Sequence, residues 1–387
     1  MKKICIVTAT RAEYGLLKPL MHKLQESDQF ELQIVVTGAH LSPEFGLTYQ
    51  FLEQDGFHID EKVEMLLSSD TATGIVKSMG VGMIGYAETF SRLSPAAIVI
   101  LGDRYEMLSI ASAAAIFNIP VIHLHGGEIT EGAYDDAIRH AISKLSKLHF
   151  TSTEEYRRRV IQMGEQPNKV YNVGAIGLDN ITTMDLLSKE QLEKDLGIRF
   201  KRYNYQVTFH PETLSHISSK EQFELLLSAI DEQEDSYFIF TKSNADTDGR
   251  IINQLIDQFV ANNGHKASAY NSLGSLRFLS VVNVCDAIVG NSSSGIIEAP
   301  SLNTPTINIG DRQRGRTQAE SILNCPVEKE EILKSFRIIK EARFREKLIG
   351  LVNPYGNGGT TEKILQILSN LDFDQLTAKT FYNIKYN

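Results

Sequence analysis

Short continuous apolar runs alternate with amphipathic stretches along most of this 387-residue chain. Apolar runs of this kind are typical of strands buried on both faces, and the intervening helices supply the crossovers of a parallel sheet. In the first half, strands are predicted at residues 3–8, 31–37, 96–101, 120–124, 147–152 and 169–173. Helices are predicted between them at 14–26, 105–117, 136–146 and 153–163. The alternation predicts a doubly wound α/β sheet.

The alternation weakens over residues 176–203, a polar stretch that reads as a connection with one surface helix. It then restarts, with strands predicted at 205–210, 236–241, 286–290 and 305–309. The chain is therefore divided into an N-terminal domain, 1–175, and a second α/β domain, 203–355. Two such domains facing each other would enclose a cleft, which is a favoured place for ligands.

Composition excludes several classes of protein. The formal net charge of −9 argues against general binding to nucleic acid or to anionic membranes. No apolar run approaches the roughly 20 residues that span a bilayer. The chain has three cysteines, an odd and low count that indicates buried thiols in a reducing compartment rather than a disulfide framework. We expect a cytoplasmic protein.

Acids and histidines follow two of the predicted strands. Gly102-Asp103-Arg104 ends the strand at 96–101, and His123-Leu124-His125-Gly126-Gly127-Glu128 ends the strand at 120–124. The carboxyl ends of strands in an open α/β sheet face the ligand crevice. Carboxylates there suit proton transfer, and an arginine suits an anionic substrate. The candidate residues are Asp103, Arg104, His125, Glu128, Asp135 and Asp136.

Some of these residues also have a plainer interpretation. Asp103 could cap the helix that follows it. By strand alternation His123 faces opposite to His125, so His123 is read as a core residue and His125 as the one facing the site. The pair lacks the companion spacing of a zinc site, so no metal is expected. Arg11 follows the first strand at a helix start, where backbone amides bind anions, although this segment could equally be a solvated turn.

The second domain carries a phosphate-cradle pattern. Gly290-Asn291-Ser292-Ser293-Ser294-Gly295 lies between a predicted strand and a helix, so hydroxyl groups and backbone amides can point at an anion. Glu298, in the helix, could accept both hydroxyl groups of a ribose. His210 ends the first strand of this domain, and Arg312 follows the strand at 305–309. Gly290–Gly295 could instead be an ordinary serine-rich loop, and His210 could be a buried histidine beside Pro211.

Two further patterns are given no role. Gly80–Gly85 matches Gly-x-Gly-x-x-Gly, but it follows no strand, because the preceding residues Thr71–Ser78 are predicted to be helical, so it is rejected as a dinucleotide fingerprint. Its glycines could allow tight helix packing or form a flexible segment over the cleft. Arg157–Arg159 follow Glu154-Glu155 at helical spacing and read as a solvated face.

Taken together and in this order, the motifs closely resemble the UDP-N-acetylglucosamine 2-epimerases, above all their bacterial hydrolysing branch in sialic acid and related nonulosonic acid synthesis. The resemblance covers essentially the whole chain. The motifs that carry it are Arg11–Gly15, Gly102–Glu106, His125–Glu128, Asp135–His140, Phe209–Thr213 and Gly290–Glu298, with a further match at 37–46.

The resemblance implies a glycosyltransferase-B-like fold of two Rossmann-like domains, with the C-terminal helix region 360–387 packing back on the first. It implies that UDP binds mainly to the second domain and that the chain is a homodimer or homotetramer. The implied UDP and diphosphate contacts are Arg11, Arg104, His210, Asn244, Ser292, Ser293, Glu298 and Arg312, beside Asn291 of the cradle. The implied catalytic acids are Asp103, Asp135 and Asp136.

The implied reaction eliminates UDP from the sugar to give a glycal, to which water adds, without metal or nicotinamide. One departure from relatives bears on the mechanism, because His125 stands where they carry a glutamate. A neutral His125 could act as the base, or the role could pass to Glu128 or Asp103. His210 could protonate the leaving group.

The expected substrate is UDP-N-acetylglucosamine, which would give N-acetylmannosamine for sialic acid synthesis. The alternative substrate is UDP-N,N'-diacetylbacillosamine, which leads to legionaminic acid. A non-hydrolysing epimerase, a glycosyltransferase of the same fold and an inactive nucleotide-sugar sensor are the competing functions.

Overall fold

The computed structural model describes residues 1–67, 69, 71–131, 133–212, 217–243, 249–376 and 378–384. The chain forms two compact units. Unit 1 comprises Met1–Glu128, Asp135–Asp179 and Gly358–Asn387, and unit 2 comprises Ile129–Tyr134 and Asn180–Asn357. None of the helices within the described residues is both long and apolar enough to cross a membrane.

Unit 1 is built on a seven-stranded parallel sheet. Its strands are β1 (Lys2–Thr8), β2 (Phe30–Thr37), β3 (Glu61–Val63), β4 (Ala97–Leu101), β5 (Val121–Leu124), β6 (Leu148–Thr151) and β7 (Val170–Asn172). Their order across the sheet is β3-β2-β1-β4-β5-β6-β7, with every neighbouring pair parallel. The order reverses between β1 and β4. In such sheets the ligand crevice lies outside the carboxyl ends of the strands at that point.

Helices cover both faces of this sheet. They are α1 (Arg11–Gln25), α2 (Tyr49–Gln54), α3 (Ala72–Leu93), α4 (Tyr105–Ile116), α5 (Asp135–Leu145), α6 (Glu154–Gln162) and α7 (Leu178–Thr183), the last of which crosses the boundary between the units. Alternate residues of β1 enter different cores: Ile4 and Ile6 belong to one buried cluster, and Cys5 and Val7 to another. A strand buried on both faces must be apolar throughout, which explains the continuous runs in the sequence.

Unit 2 repeats this design. Its strands are β8 (Tyr203–Thr208), β9 (Ser236–Thr241), β10 (Ala267–Tyr270), β11 (Ala287–Gly290), β12 (Thr306–Ile309) and β13 (Ile322–Cys325), in the order β10-β9-β8-β11-β12-β13, all parallel. Its helices are α8 (Lys189–Leu196), α9 (Ser219–Asp231), α10 (Gly249–Asn262), α11 (Gly274–Val284), α12 (Ser293–Ile297), α13 (Lys329–Ile338) and α14 (Ala342–Glu346). Phe238 and Phe240 of β9 enter one buried cluster, and Tyr237 and Ile239 enter the opposite one.

The last helix, α15 (Thr360–Ser369), belongs to unit 1 although it follows unit 2 in the chain. Its Ile364 and Leu368 are buried in the same cluster as Ile4 of β1. The Asp179 carboxylate accepts hydrogen bonds from the Thr360 and Thr361 backbone N–H groups, at 2.9 and 2.6 Å. These are among the N–H groups that a helix start leaves without an intrahelical partner, so the bonds fix where α15 begins.

The predicted fold class, two α/β units with parallel sheets, is confirmed. The glycines of the Gly80–Gly85 pattern lie inside α3, which agrees with the helix-packing interpretation rather than with a flexible segment. A Cβ atom added at Gly85 would lie 2.6 Å from Val63 Cγ1, so this glycine allows the helix to pack closely on β3. The sequence reading missed three short strands, β3, β10 and β13, which lie at sheet edges.

Candidate active site

Arg139 of α5 holds together residues from the ends of two strands of unit 1. Its Nη2 pairs with the carboxylate of Asp103, which follows β4. Its Nη1 donates to the backbone carbonyl of Glu128 at 2.8 Å and lies 3.8 Å from Asp136 Oδ1. Arg139 itself is 1% exposed. A buried arginine is found almost only where several acceptors satisfy it, so this cluster is a fixed part of the fold.

The second group at this edge of the sheet joins His125 to Glu128. The Ile176 backbone N–H donates to His125 Nε2 at 3.3 Å, so the ring proton lies on Nδ1, which is 2.9 Å from Glu128 Oε1. The Ser152 hydroxyl donates to the same carboxylate oxygen at 2.7 Å. Both ring nitrogens of His125 are therefore engaged, and the imidazole holds Glu128 in place.

The acids differ in how far solvent reaches them. The side chains of Asp103 and Asp136 are 23% and 29% exposed, whereas that of Glu128 is 2% exposed. Asp135 begins α5 and is half-buried. A group that exchanges protons with a substrate must be reachable, so the geometry favours the aspartates over Glu128 for that role.

His123 belongs to β5 itself and is closed off from solvent. It is fully buried, with Nε2 2.7 Å from the Gly102 carbonyl and Nδ1 3.1 Å from Ser143 Oγ. Burial lowers the pKa of His123 to about 3, against the raising effect of its bond to the Gly102 carbonyl. It is a neutral core histidine, as strand alternation predicts.

Arg104 is held between two carboxylates. Its Nε and Nη2 each donate to Glu106 at 3.2 Å, and Nε lies 4.0 Å from Glu13 Oε1. Burial raises the pKa of Glu13 to about 7, although Arg104 draws it down. Arg11, the other predicted anion contact of unit 1, places its guanidinium 4.0 Å from the ring centroid of Phe51.

In unit 2, Asn291 joins the loops that follow β8 and β11. Its Oδ1 accepts from the His210 backbone N–H at 2.7 Å, and its Nδ2 donates to the His210 carbonyl at 2.8 Å. Gly290 makes this approach possible, because it has a φ of +130° and an added Cβ would lie 2.0 Å from the Thr208 carbonyl oxygen. His210 and the loop Asn291–Ser294, here called the serine loop, are thereby fixed together at one sheet edge.

The loop after β12 joins the same assembly. Arg312 Nη1 and Gln313 Nε2 donate to the Asn291 carbonyl, at 3.1 and 2.7 Å. The Glu212 carboxylate accepts from the backbone N–H groups of Asp311 and Arg312, at 2.9 and 3.1 Å. Burial raises the pKa of Glu212, although these backbone bonds oppose the shift.

The remaining predicted contacts of unit 2 lie around α12. Ser292 is its N-cap and accepts from the Ser294 N–H at 3.4 Å, and Ser293 is its first residue. Glu298 ends the helix and is largely buried. Asn244, the predicted uracil neighbour, lies outside the described residues. His210, Asn291, Ser292 and Arg312 thus follow three adjacent strands, β8, β11 and β12.

Sequence reasoning missed three residues that organise these groups: Arg139, Ser152 and Glu212. The sequence does indicate Arg139, because it lies four residues after Asp135, a spacing that places both side chains on the same face of a helix. Ser152 and Glu212 carry no such signal, because their partners come from other segments of the chain.

Residues 22–369 match the family described as UDP-N-acetylglucosamine 2-epimerase. The chain is 42% identical over 384 residues to the GDP/UDP-N,N'-diacetylbacillosamine 2-epimerase (hydrolyzing) of Campylobacter jejuni, covering 99% of each chain. It is 41% identical over 386 residues to the polysialic acid biosynthesis protein P7 of Escherichia coli, covering 99% of this chain and 98% of that one.

The fold is shared with the crystal structure of UDP-GlcNAc 2-epimerase from Neisseria meningitidis bound to UDP-GlcNAc. The TM-score is 0.79 at 19% identity, over 95% of this chain and 100% of that one. The resemblance predicted from the motifs is confirmed by the family match and by both relatives. The chain belongs to the UDP-N-acetylglucosamine 2-epimerase family and is an enzyme of its bacterial hydrolysing branch.

Proposed function

We propose that this enzyme converts UDP-N-acetylglucosamine and water to N-acetylmannosamine and UDP. The observation that carries the proposal is the acid cluster of unit 1. Arg139 pairs with Asp103 and Asp136 and with the Glu128 carbonyl, so catalytic acids from separate segments share one buried anchor. Acids held at the carboxyl ends of neighbouring strands suit proton transfer to and from a sugar.

The reaction has two steps. A carboxylate of the cluster removes the proton on carbon 2 of the sugar while the bond from carbon 1 to the diphosphate oxygen breaks, giving a glycal and UDP. Water then adds across the double bond. Its hydroxyl group bonds to carbon 1, and a proton is delivered to carbon 2 on the face opposite to the one that lost its proton. We assign the proton transfers to Asp103, Asp135 and Asp136, and we assign His125 and Glu128 to positioning.

The leaving diphosphate carries negative charge, which preorganised cations and backbone amides stabilise best. We assign its binding to the assembly of unit 2 around Asn291, with His210 and Arg312 beside the serine loop. Glu298 would accept the ribose hydroxyl groups, and Arg11 and Arg104 are further candidate contacts to the diphosphate. Arg104 serves this role with its orientation already set by Glu106.

The test is turnover in deuterated water. Purified protein with UDP-N-acetylglucosamine should release UDP and free N-acetylmannosamine carrying deuterium at carbon 2, detected by NMR. The Asp103→Asn protein, which is nearly isosteric, serves as the negative control. Product that retains the original hydrogen at carbon 2 contradicts elimination followed by hydration.

A second substrate is supported by the Campylobacter relative, which is named for N,N'-diacetylbacillosamine linked to GDP or UDP. The two sugars differ at carbons 4 and 6. A side-by-side assay of UDP-N-acetylglucosamine with the UDP- and GDP-linked diacetylbacillosamine donors, comparing kcat/KM, decides between them. A higher value for either diacetylbacillosamine donor would replace the proposed substrate and leave the proposed reaction intact.

The same assay separates the competing reactions. A glycosyltransferase would release no UDP without an acceptor. A non-hydrolysing epimerase would return a UDP-linked epimer rather than a free sugar.

A further inference from the structure

Unit 2 includes one short segment whose neighbours along the chain, on both sides, belong to unit 1. This linking segment, Ile129–Tyr134, joins Glu128 to Asp135 along the chain, and both of those residues belong to unit 1. Its neighbours on either side are thus Asp135, assigned above to proton transfer, and Glu128, assigned above to positioning. Where the linking segment is held therefore bears directly on where those acids stand.

The linking segment is held by the loop Asp311–Arg316, here called the arginine loop. Arg316 Nε donates to the Ile129 carbonyl at 3.2 Å. The Glu131 N–H donates to the Arg314 carbonyl at 3.4 Å, and Arg314 Nε lies 2.8 Å from Glu131 Oε2. Two of the contacts involve main-chain atoms of the linking segment, so they fix its path as well as one side chain.

Gly315 lets the two pieces of chain approach closely. It has a φ of +83°, and an added Cβ would lie 2.6 Å from Ile129 Cγ2 and 3.1 Å from Glu131 Oε1. A side chain at this position would be strained by the backbone and would also push the linking segment away. The glycine is therefore required at this contact.

The opposite side of the arginine loop is tied to the proposed diphosphate site. Arg312 and Gln313 both donate to the Asn291 carbonyl, and Glu212 accepts from the first two N–H groups of the loop. A single six-residue loop thus contacts the diphosphate assembly at one end and the linking segment at the other.

We infer that Gly315 and Arg316 are positioning residues that couple diphosphate binding to the placement of the catalytic acids. The arginine loop is ordered further when Arg312 engages the diphosphate, and Arg316 and Gly315 transmit that order to the linking segment. The residues at its two ends, Asp135 assigned to proton transfer and Glu128 assigned to positioning, are then fixed for the chemical step. This inference rests on the proposed function and adds to it two residues that touch no substrate atom.

The test compares Arg316→Gln and Gly315→Ala with wild-type enzyme. Both variants should lower kcat by roughly 10- to 100-fold, the scale of a misplaced proton-transfer group. UDP affinity, measured by titration calorimetry, should change less than about 3-fold. Arg316→Lys should retain part of the kcat that Arg316→Gln loses. In Arg316→Gln and Gly315→Ala the pH profile of kcat should shift relative to wild type. Arg314→Gln is the matched control, because that side chain is 66% exposed and such pairs contribute little.

A second measurement follows the coupling without turnover. In hydrogen–deuterium exchange, UDP should slow exchange in a peptide covering the linking segment of the wild-type protein, and it should fail to do so in Arg316→Gln. The double variant Gly315→Ala, Ile129→Ala removes the atom in closest conflict and should recover part of the activity and of the protection.

Equal losses of UDP affinity and kcat/KM in both variants would overturn the inference, because the residues would then be diphosphate ligands. So would variants with wild-type kcat, or wild-type protection by UDP in Arg316→Gln. A wild-type protein that releases no UDP from any donor would instead refute the proposed function. The two failures are therefore distinguishable.

Discussion

His125 shows how much a single residue's partners decide. The resemblance implies a glutamate at this position in relatives, so from the sequence His125 could be a base or a pocket residue. In the structure it has a positive φ of 65° and uses both ring nitrogens, one toward the Ile176 N–H and one toward Glu128. A base needs a free lone pair, so these contacts favour the positioning role.

We therefore expect His125→Asn to keep activity within about 10-fold of wild type. Asparagine tolerates positive φ, and its amide can place a donor near the position of Nδ1. Glu128→Gln removes the charge of a carboxylate that we assign to positioning, so it should lower kcat by less than the roughly 10²-fold loss expected for a proton-transfer group. Steady-state kinetics on both variants provide the measurement, with Ser152→Ala as a milder perturbation of the same carboxylate. A loss above roughly 10²-fold in His125→Asn would make His125 the base, and the same loss in Glu128→Gln would make Glu128 a proton-transfer group.

The buried carboxyl group of Glu13 leads to a prediction about how the stability of the protein depends on pH. Its pKa is raised from 4.5 to about 7 in the folded chain, chiefly by burial. The folded state therefore holds a proton that the unfolded state has lost, and stability falls as the pH rises from 4.5 through 7. Above pH 7 the loss in unfolding free energy is complete and amounts to about 3 kcal/mol.

Glu13→Gln cannot ionise, yet its amide oxygen can still accept from the Ala9 N–H, which now donates to Glu13 at 2.7 Å. Relative to wild type, its urea midpoint should therefore rise steadily between pH 5 and pH 8. Glu330→Gln, at an exposed position of α13, controls for the amide substitution itself. A constant difference between Glu13→Gln and wild type across this pH range would contradict the assigned shift.

At the scale of elements, the long buried strands were predictable and the short edge strands were not. β1 and β4 are apolar because both faces pack against helices, so the sequence alone marks them. β3 has only three residues, of which two are charged, and β13 includes Asn324. Such strands form because a neighbouring strand offers its hydrogen bonds, and that information is not local.

The next prediction concerns the binding of UDP by the serine loop and α12. Replacing both Ser292 and Ser293 by alanine should weaken UDP binding by about 1–3 kcal/mol, the usual cost of losing hydrogen bonds to a charged group. The Ser292 hydroxyl also caps α12, so circular dichroism and the urea midpoint should be recorded beside the calorimetric titration. Ser301→Ala, just beyond the helix, is the control. Unchanged UDP affinity would remove the loop from the nucleotide site.

Lys379 is one of the residues that anchor the C-terminal tail of unit 1. Lys379 Nζ lies 2.8 Å from Glu165 Oε2 and donates to the carbonyls of Lys144 and Ser146 at the end of α5, at 2.6 and 2.7 Å. Burial alone would raise the pKa of Glu165, but bonds from His149, Lys144 and Lys379 outweigh it and lower the pKa to about 2. The carboxylate is thus stabilised in its charged form.

Lys379→Met should cost about 1–3 kcal/mol of unfolding free energy at pH 7. A carboxyl whose pKa is lowered on folding stabilises the protein above its unfolded value of 4.5. That contribution disappears as the pH falls through 4.5 toward 2. The urea midpoints of variant and wild type should therefore converge in acid. Lys334→Met, from an exposed pair on α13, should cost less than about 0.5 kcal/mol.

At the scale of the whole molecule, the two α/β units were predictable because strand and helix patterns repeat along the chain. The contact between Ile129 and Arg316 was not, since it joins residues far apart in sequence and involves a backbone carbonyl. No local pattern marks a carbonyl as an acceptor for a distant arginine. The homodimer or homotetramer and the cytoplasmic location stay predictions, of which light scattering tests the first.

The two units also have separate buried clusters, so a ligand or a substitution should act first on the unit that contains it. UDP at about 100 times its Kd adds about 2.7 kcal/mol to the folded state that binds it. In scanning calorimetry, UDP should raise the transition of unit 2, whereas Lys379→Met should lower that of unit 1 and thereby identify it. If UDP raised the transition of unit 1 alone, the nucleotide site would belong at Arg11 and Arg104. If one merged transition responded equally to both changes, the units would unfold together, and stability measured anywhere in the chain would report on the whole of it.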